Sequence, residues 1–209
     1  MNDAPPVTAA FDVQAIRAQF PILTETVRGR PLVFLDSAAS AQKPRAVIEA
    51  MVHAMEHQYA NVHRGLHWMS ERTTEAFEAC RDAAARFLNA GSRDEIVLTR
   101  NSTEGINLVA HSYGRGVMRA GQAVLISEME HHSNIVPWEL IAKITGCTIK
   151  YVNVNADGTL DYQDFESKIS GKTKLASFSH ISNVSGVIND VKRIAKVAHE
   201  NGAIVLVDA

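Results

Sequence analysis

From Glu95 onward the chain alternates short apolar runs with segments whose apolar residues recur at helical spacing. The runs are EIVLT, AVLIS, CTIKYVNV, KLASFSH and AIVLVDA. Between them, Ile106, Val109, Ala110 and Tyr113 make one helical face, and Val191, Ile194, Ala195 and Ala198 make another. A strand with one wet face alternates polar and apolar residues, whereas a near-continuous apolar strand buries both faces. The pattern therefore predicts an α/β fold on a mainly parallel sheet with helices on both faces. A further helix is expected to begin near Ile135, and Gly146 and Gly202 stand where helix C-caps belong.

The first part of the chain reads differently. Residues 1–10 look like a frayed terminus, with Asp3 and two prolines where a secretory signal needs positive charge and then an apolar run. A short helix is predicted from Val13 to Phe20, closed by Pro21. RPLVFLDSAASAQKP carries a strand-like core, LVFL, followed by small residues that let the backbone approach a ligand closely. Helices are predicted from Pro44 to about His57 and from Ser70 to Asn89, the second with Phe77, Cys80, Ala84, Phe87 and Leu88 at helical spacing and Gly91 closing it.

Composition removes several classes of function. The 209 residues, 46% hydrophobic, suffice for one sizeable domain. Twenty-one Lys and Arg against 23 Asp and Glu leave a net charge of −2, and no basic tract is dense enough to neutralise a row of phosphates, so nucleic acid is not an expected partner. No apolar run approaches the roughly 20 residues that cross a bilayer, so no membrane association is expected and a cytoplasmic location is. Cys80 and Cys147 stand alone without CxxC spacing, against a disulfide framework or cysteine-rich metal site; both are expected as buried thiols. Because the chain stops at Ala209 directly after a strand, it reads as a truncated one.

Ligands of open α/β sheets gather beyond the carboxyl ends of the strands, so the residues after each apolar run carry the interest. After EIVLT comes Asn101-Ser102-Thr103-Glu104, which resembles a capping box and sets hydroxyls beside free N–H groups at a helix start. This suits a phosphate, or simply caps a helix. After AVLIS come Glu130, His131, His132, Ser133 and Asn134; an imidazole here can stack on a flat ring or move protons, or be an ordinary loop histidine. After AIVLV comes Asp208, with Ser182 and Asn183 following KLASFSH; a carboxylate so placed can hold a pyridine nitrogen protonated, or cap a loop. A metal-hydrolase reading from His63 and His67 with Glu130, His131 and His132 lacks the Glu of HExxH, and a dinucleotide reading lacks GxGxxG.

DSAASAQKP at 36–44, NVHRGLH at 61–67, NSTEGIN at 101–107, MEHHSNIVPW at 129–138 and SNVSG at 182–186 resemble the signature segments of Suf-type cysteine desulfurases, class V aminotransferase enzymes of fold-type I. The resemblance implies a pyridoxal 5'-phosphate (PLP) enzyme with an aspartate aminotransferase-like large domain. Residues 31–209 would be the first part of that domain and 1–30 a segment joining the small domain. It implies that Ser102 and Thr103 bind the PLP phosphate, that His131 stacks on the ring and takes part in catalysis, that Asn183 bonds the phenolic oxygen and that Asp208 pairs with the ring nitrogen. Ala38, Ala39, His63 and Arg64 would line the substrate side.

The implied reaction takes sulfur from L-cysteine, leaving L-alanine and an enzyme persulfide for iron–sulfur cluster assembly through a Suf-type sulfur-acceptor protein, in a homodimer. Selenocysteine lyase, another class V reaction and a non-catalytic member share these features. Ala209 replaces a glycine common in the family, and the anchoring lysine, nucleophilic cysteine and substrate-carboxylate arginine would lie beyond it. The chain alone is therefore expected to be inactive.

Overall fold

The computed structural model describes residues 11–209; the expected frayed terminus at 1–10, with that part of the 1–30 segment, lies outside the described residues. They fall into two units, one ending at Val97 and the other Leu98–Ala209.

In the first unit, helix α1 (Val13–Arg17) is capped by Asp12, whose carboxylate accepts the N–H groups of Gln14 and Ala15, each at 3.0 Å. A 3₁₀ turn follows at Pro21–Thr24. Strands β1 (Thr26–Val27) and β2 (Arg30–Pro31) form an antiparallel hairpin turned by Arg28 and Gly29, both at positive φ, as a tight two-residue hairpin demands. Helices α2 (Arg45–His57) and α3 (Trp68–Leu88) come next, with a short 3₁₀ turn at Arg93–Glu95.

Four expectations need correction here. LVFL forms no strand: Val33 and Leu35 are 76% and 92% exposed, and no described segment pairs with them. EIVLT likewise stays outside the sheet, its residues 96–99 unladdered. An apolar run becomes a strand only where a second backbone accepts its hydrogen bonds. Asn89, not Gly91, closes α3. It adopts the left-handed conformation at φ 55°, its N–H meets Arg86 O, and Ala90 N–H reaches back to Ala85 O at 2.9 Å. Cys80 is exposed, as are Phe87 and Leu88 of the same apolar face of α3, because no described residue covers that face; only Cys147 is buried.

The second unit opens with α4 (Ser102–Val109), which runs through a π-turn at Ala110–Gly114 into α5 (Arg115–Val117). Then β3 (Ala123–Ser127), α6 (Val136–Thr145), β4 (Thr148–Val152), α7 (Tyr162–Lys168), β5 (Thr173–Ser179), α8 (Val191–Glu200) and β6 (Ile204–Asp208) alternate as the sequence predicts. The four strands pair in parallel, in the order β4-β3-β5-β6. Helix α7 has no counterpart in the sequence reading. It has seven residues, too few to show a helical period; Asp161 starts it by accepting from Gln163 and Asp164 N–H, and Phe165 anchors it.

Successive strand residues point to opposite faces, and each face has its own core. On one, Leu125, Ala176 and Phe178 pack with Phe165 of α7 and with Ile194 and Ala198 of α8. On the other, Val124, Ile126 and Leu175 pack with Ile106 of α4 and with Trp138 and Ile141 of α6. Both faces are therefore covered. Helix α8 ends as its glycine implied: Gly202 takes φ 73°, its N–H meets His199 O, and Ala203 N–H closes on Ala198 O.

From β3 the chain moves outward to β4, then returns past β3 to place β5 and β6 on its other side. The strand order thus reverses between β3 and β5, which leaves a crevice between the loops that follow them. Among the described residues no helix is long and apolar enough to cross a membrane.

Phe165 and Phe178 are both fully buried and meet edge to face with centroids 5.5 Å apart. Phe165→Ala should therefore lower unfolding free energy by about 3–5 kcal/mol, read by urea denaturation, with the loss smaller if the site collapses.

Candidate functional site

The carboxyl edge of the sheet begins with the start of α4. Asn101 Oδ1 accepts Glu104 N–H at 2.9 Å, which caps the helix. Glu104 does not return to Asn101, as a reciprocal capping box would; it takes the Arg100 N–H at 2.6 Å and the Arg100 guanidinium at 3.1 and 3.2 Å. Those bonds, the guanidinium's foremost, hold the Glu104 carboxyl below its ordinary range. The N–H groups of Ser102 and Thr103 find no acceptor among the described residues. Together with both hydroxyls and the positive end of the helix, they form a concentrated set of donors for an anion.

The turn after β3 is held from within. Glu130 is 7% exposed, and every group that meets its carboxylate is a donor. Oε1 takes the Ser127 hydroxyl, while Oε2 takes Asn134 Nδ2 at 2.8 Å, Ser179 N–H at 2.8 Å and the Ser179 hydroxyl at 2.6 Å. Burial pushes the Glu130 carboxyl up, and these hydrogen bonds oppose the rise. Asn134 passes the order on: its Oδ1 accepts the Ser177 hydroxyl at 2.6 Å and Trp138 Nε1–H at 3.1 Å. Last residues of β3 and β5 are thus tied to the start of α6 through one buried polar network.

His131 sits beside that network with its ring exposed. Its Nδ1 accepts Ser133 N–H at 3.2 Å and lies 2.8 Å from the Ser133 hydroxyl. A ring nitrogen that accepts from an amide carries no proton, so the neutral ring carries its proton on Nε2, the atom left for a ligand. Helix α4 packs against the His132–Asn134 turn, which brings Ser102 and Thr103 to the same end of the sheet as His131.

Asp208 ends β6 in register with Ser179, and it alternates onto the face of the sheet shared by Leu206 and the core beneath α4 and α6. Its backbone oxygen accepts His180 N–H at 2.8 Å, while its carboxylate has no partner among the described residues. Asn183 lies in the turn after β5. Ser182, 4% exposed, shapes that turn by accepting from Val184 and Ser185 N–H, and the Asn183 side chain stays in solvent. The structure therefore gathers Ser102, Thr103, His131, Asn183 and Asp208 at one edge of one sheet.

The remaining residues of interest belong to the first unit. Ala38 and Ala39 occupy an exposed turn at residues 37–39. His63 has φ 59°, its N–H donated to Thr74 Oγ1 at 3.0 Å and its Nε2 set 2.9 Å from Glu78. Burial raises the Glu78 carboxyl, but Arg93, Arg81 and His63 outweigh it and the net direction is down. Arg64 and His67 line an open hollow of about 730 Å³. His67 Nδ1 accepts Ser70 N–H at the start of α3, so His63 and His67 serve separate partners.

Sequence reasoning passed over Ser127, Asn134, Ser177 and Ser179 as participants. Ser127 and Ser179 carry one signal, a small polar residue at the end of an otherwise apolar run, whereas Ser177 lies inside β5 and Asn134 in the turn beyond β3.

The aminotransferase class-V family model matches residues 33–209. A probable cysteine desulfurase of Synechocystis sp. is 50% identical over 194 residues, 93% of this chain and 46% of that protein. The apo structure of a cysteine desulfurase from Thermococcus onnurineus NA1 superposes with TM-score 0.86 at 34% identity, over 94% of this chain and 47% of that one. A cysteine desulfurase from Escherichia coli gives TM-score 0.80 at 37% identity, over 93% and 48%. The chain spans about half the length of the relatives it matches.

The Arg100–Glu104 pair yields a pH-dependent outcome. A carboxyl held below 4.5 stabilises the fold above that value and loses its contribution as pH falls through the lowered value. Arg100→Ala should melt below wild type near neutral pH, with the gap narrowing in acid; an equal gap at every pH would contradict the pairing.

Proposed function

Because the chain belongs to the aminotransferase class-V family, we propose that it forms the cofactor-cradling part of a PLP-dependent cysteine desulfurase. One observation carries the reading. Donors for a phosphate, an exposed imidazole, an amide and an unpartnered carboxylate occur together at the carboxyl edge of a parallel sheet, beside its switch point. PLP asks for this set: an anionic phosphate, a flat ring, a phenolic oxygen and a ring nitrogen.

In this reading the Ser102 and Thr103 N–H groups and the Thr103 hydroxyl hold the phosphate at the α4 N-terminus. Asp208, free of other partners, keeps the ring nitrogen protonated, and Asn183 donates to the phenolic oxygen. His131 covers the ring and holds a proton at Nε2, where it can serve the substrate side. When bound, PLP supplies an electron sink for bonds at a substrate's α-carbon. Ala38, Ala39, His63 and Arg64 are proposed for the substrate side on the family resemblance alone.

We further propose that the protein of which this sequence forms part acts on L-cysteine, giving L-alanine and an enzyme persulfide. Its sulfur goes to a Suf-type acceptor for iron–sulfur cluster assembly, in a cytoplasmic homodimer.

Titration of the full protein with PLP, followed by near-visible absorbance and alanine release from L-cysteine, tests this. Asp208→Ala should weaken PLP binding about tenfold or more, about 1.4 kcal/mol. Unchanged affinity after Asp208→Ala and His131→Ala together would show that the site lies elsewhere.

A further inference from the structure

The geometry points to Glu130 as the positioning residue that sets how His131 presents its ring. This inference rests on the role given to His131 above and extends it to a group that touches neither cofactor nor substrate.

His131 is the next residue in the chain after Glu130, and the ring's partner Ser133 precedes Asn134. Both ends of the segment are therefore pinned. Glu130 is fixed by donors from two strands, Ser127 of β3 and Ser179 of β5. Asn134 is fixed by donating Nδ2 to that same carboxylate. This donation also dictates which way the Asn134 amide faces, because its oxygen must then accept from Ser177 and from Trp138. Reversing the amide would set its oxygen against the carboxylate and its NH₂ against the indole N–H, and both contacts would repel.

Between the two pins lie only His131, His132 and Ser133. Ser133 N–H reaches Nδ1 only while the turn keeps its shape, so the proton of the neutral ring stays on Nε2 by virtue of an anchor one residue away. The two carboxylate oxygens are unequal: Oε2 accepts three donors and Oε1 one. An amide can reproduce this if its oxygen takes the Oε2 place and its NH₂ donates to a reoriented Ser127 hydroxyl. Glu130→Gln should therefore preserve the turn, whereas Glu130→Ala removes every acceptor at once.

The test is selective ¹⁵N labelling of histidine in the full protein without cofactor, reading the tautomer of His131 by NMR. Wild type and Glu130→Gln should show one dominant Nε2–H tautomer. In Glu130→Ala the ring should move toward the tautomer mixture of an unrestrained imidazole. Ser179→Ala, which deletes one hydroxyl donor and keeps the backbone donor, should move the ring part of the way, and it decides the matter if Glu130→Ala does not fold. A folded Glu130→Ala or Ser179→Ala protein whose His131 keeps the wild-type tautomer would overturn the inference, even if its melting temperature fell. Because this readout needs no PLP, a failure to bind PLP would count against the proposed function and leave the role of Glu130 standing.

Discussion

A carboxylate enclosed at the junction of two parallel strands must be met by donors, since an unsatisfied buried polar group costs about 1–3 kcal/mol and a charged one more. Glu130 meets that demand with hydroxyls from the last residues of β3 and β5, a backbone N–H, and the amide that begins the path into α6. The demand ties together three elements that hydrophobic packing alone would leave free to slide. It falls where the strand order reverses, which is where an open sheet offers a crevice. The rest of the edge is built around that knot.

The two faces of the sheet supply the frame. The core of Phe165, Phe178 and Ile194 fixes α7 and α8 on one side, and the core of Ile106, Trp138 and Ile141 fixes α4 and α6 on the other. With α4 held against the sheet and against the His132–Asn134 turn, its N-terminus is presented at the strand ends. Trp138 belongs to both systems, since its ring is buried in the core while its Nε1–H bonds Asn134. Packing and polar order are thus joined at one side chain.

Most of the second unit was legible from period and punctuation. The apolar runs of β3, β4, β5 and β6 and the glycines behind α6 and α8 are local signals with local causes. Helix α7 escaped because its seven residues display one buried side chain, Phe165, and no period. LVFL and EIVLT misled in the opposite direction, because apolar composition marks a segment able to form a strand and a ladder needs a second backbone. At the end of α3 the glycine rule pointed to Gly91, yet Asn89 tolerates the left-handed conformation and stopped the helix two residues earlier.

For the candidate site, the sequence by itself determined the chemical types and their order along the chain: hydroxyls and an asparagine at a helix start, an imidazole after one strand and a carboxylate after another. Short-range rules suffice for these, because a cap or a βα loop is decided by its own neighbours. Only the tertiary structure decided that α4 packs against the His132–Asn134 turn, that Asp208 shares a sheet face with the core beneath α4 and α6, and that Glu130 is buried among donors. Ser179 lies 49 residues from Glu130 in sequence, and no local pattern encodes a bond across that separation. It exists because parallel strands bring their carboxyl ends to one edge, where a polar group lost to solvent must find its partners in the neighbouring strand.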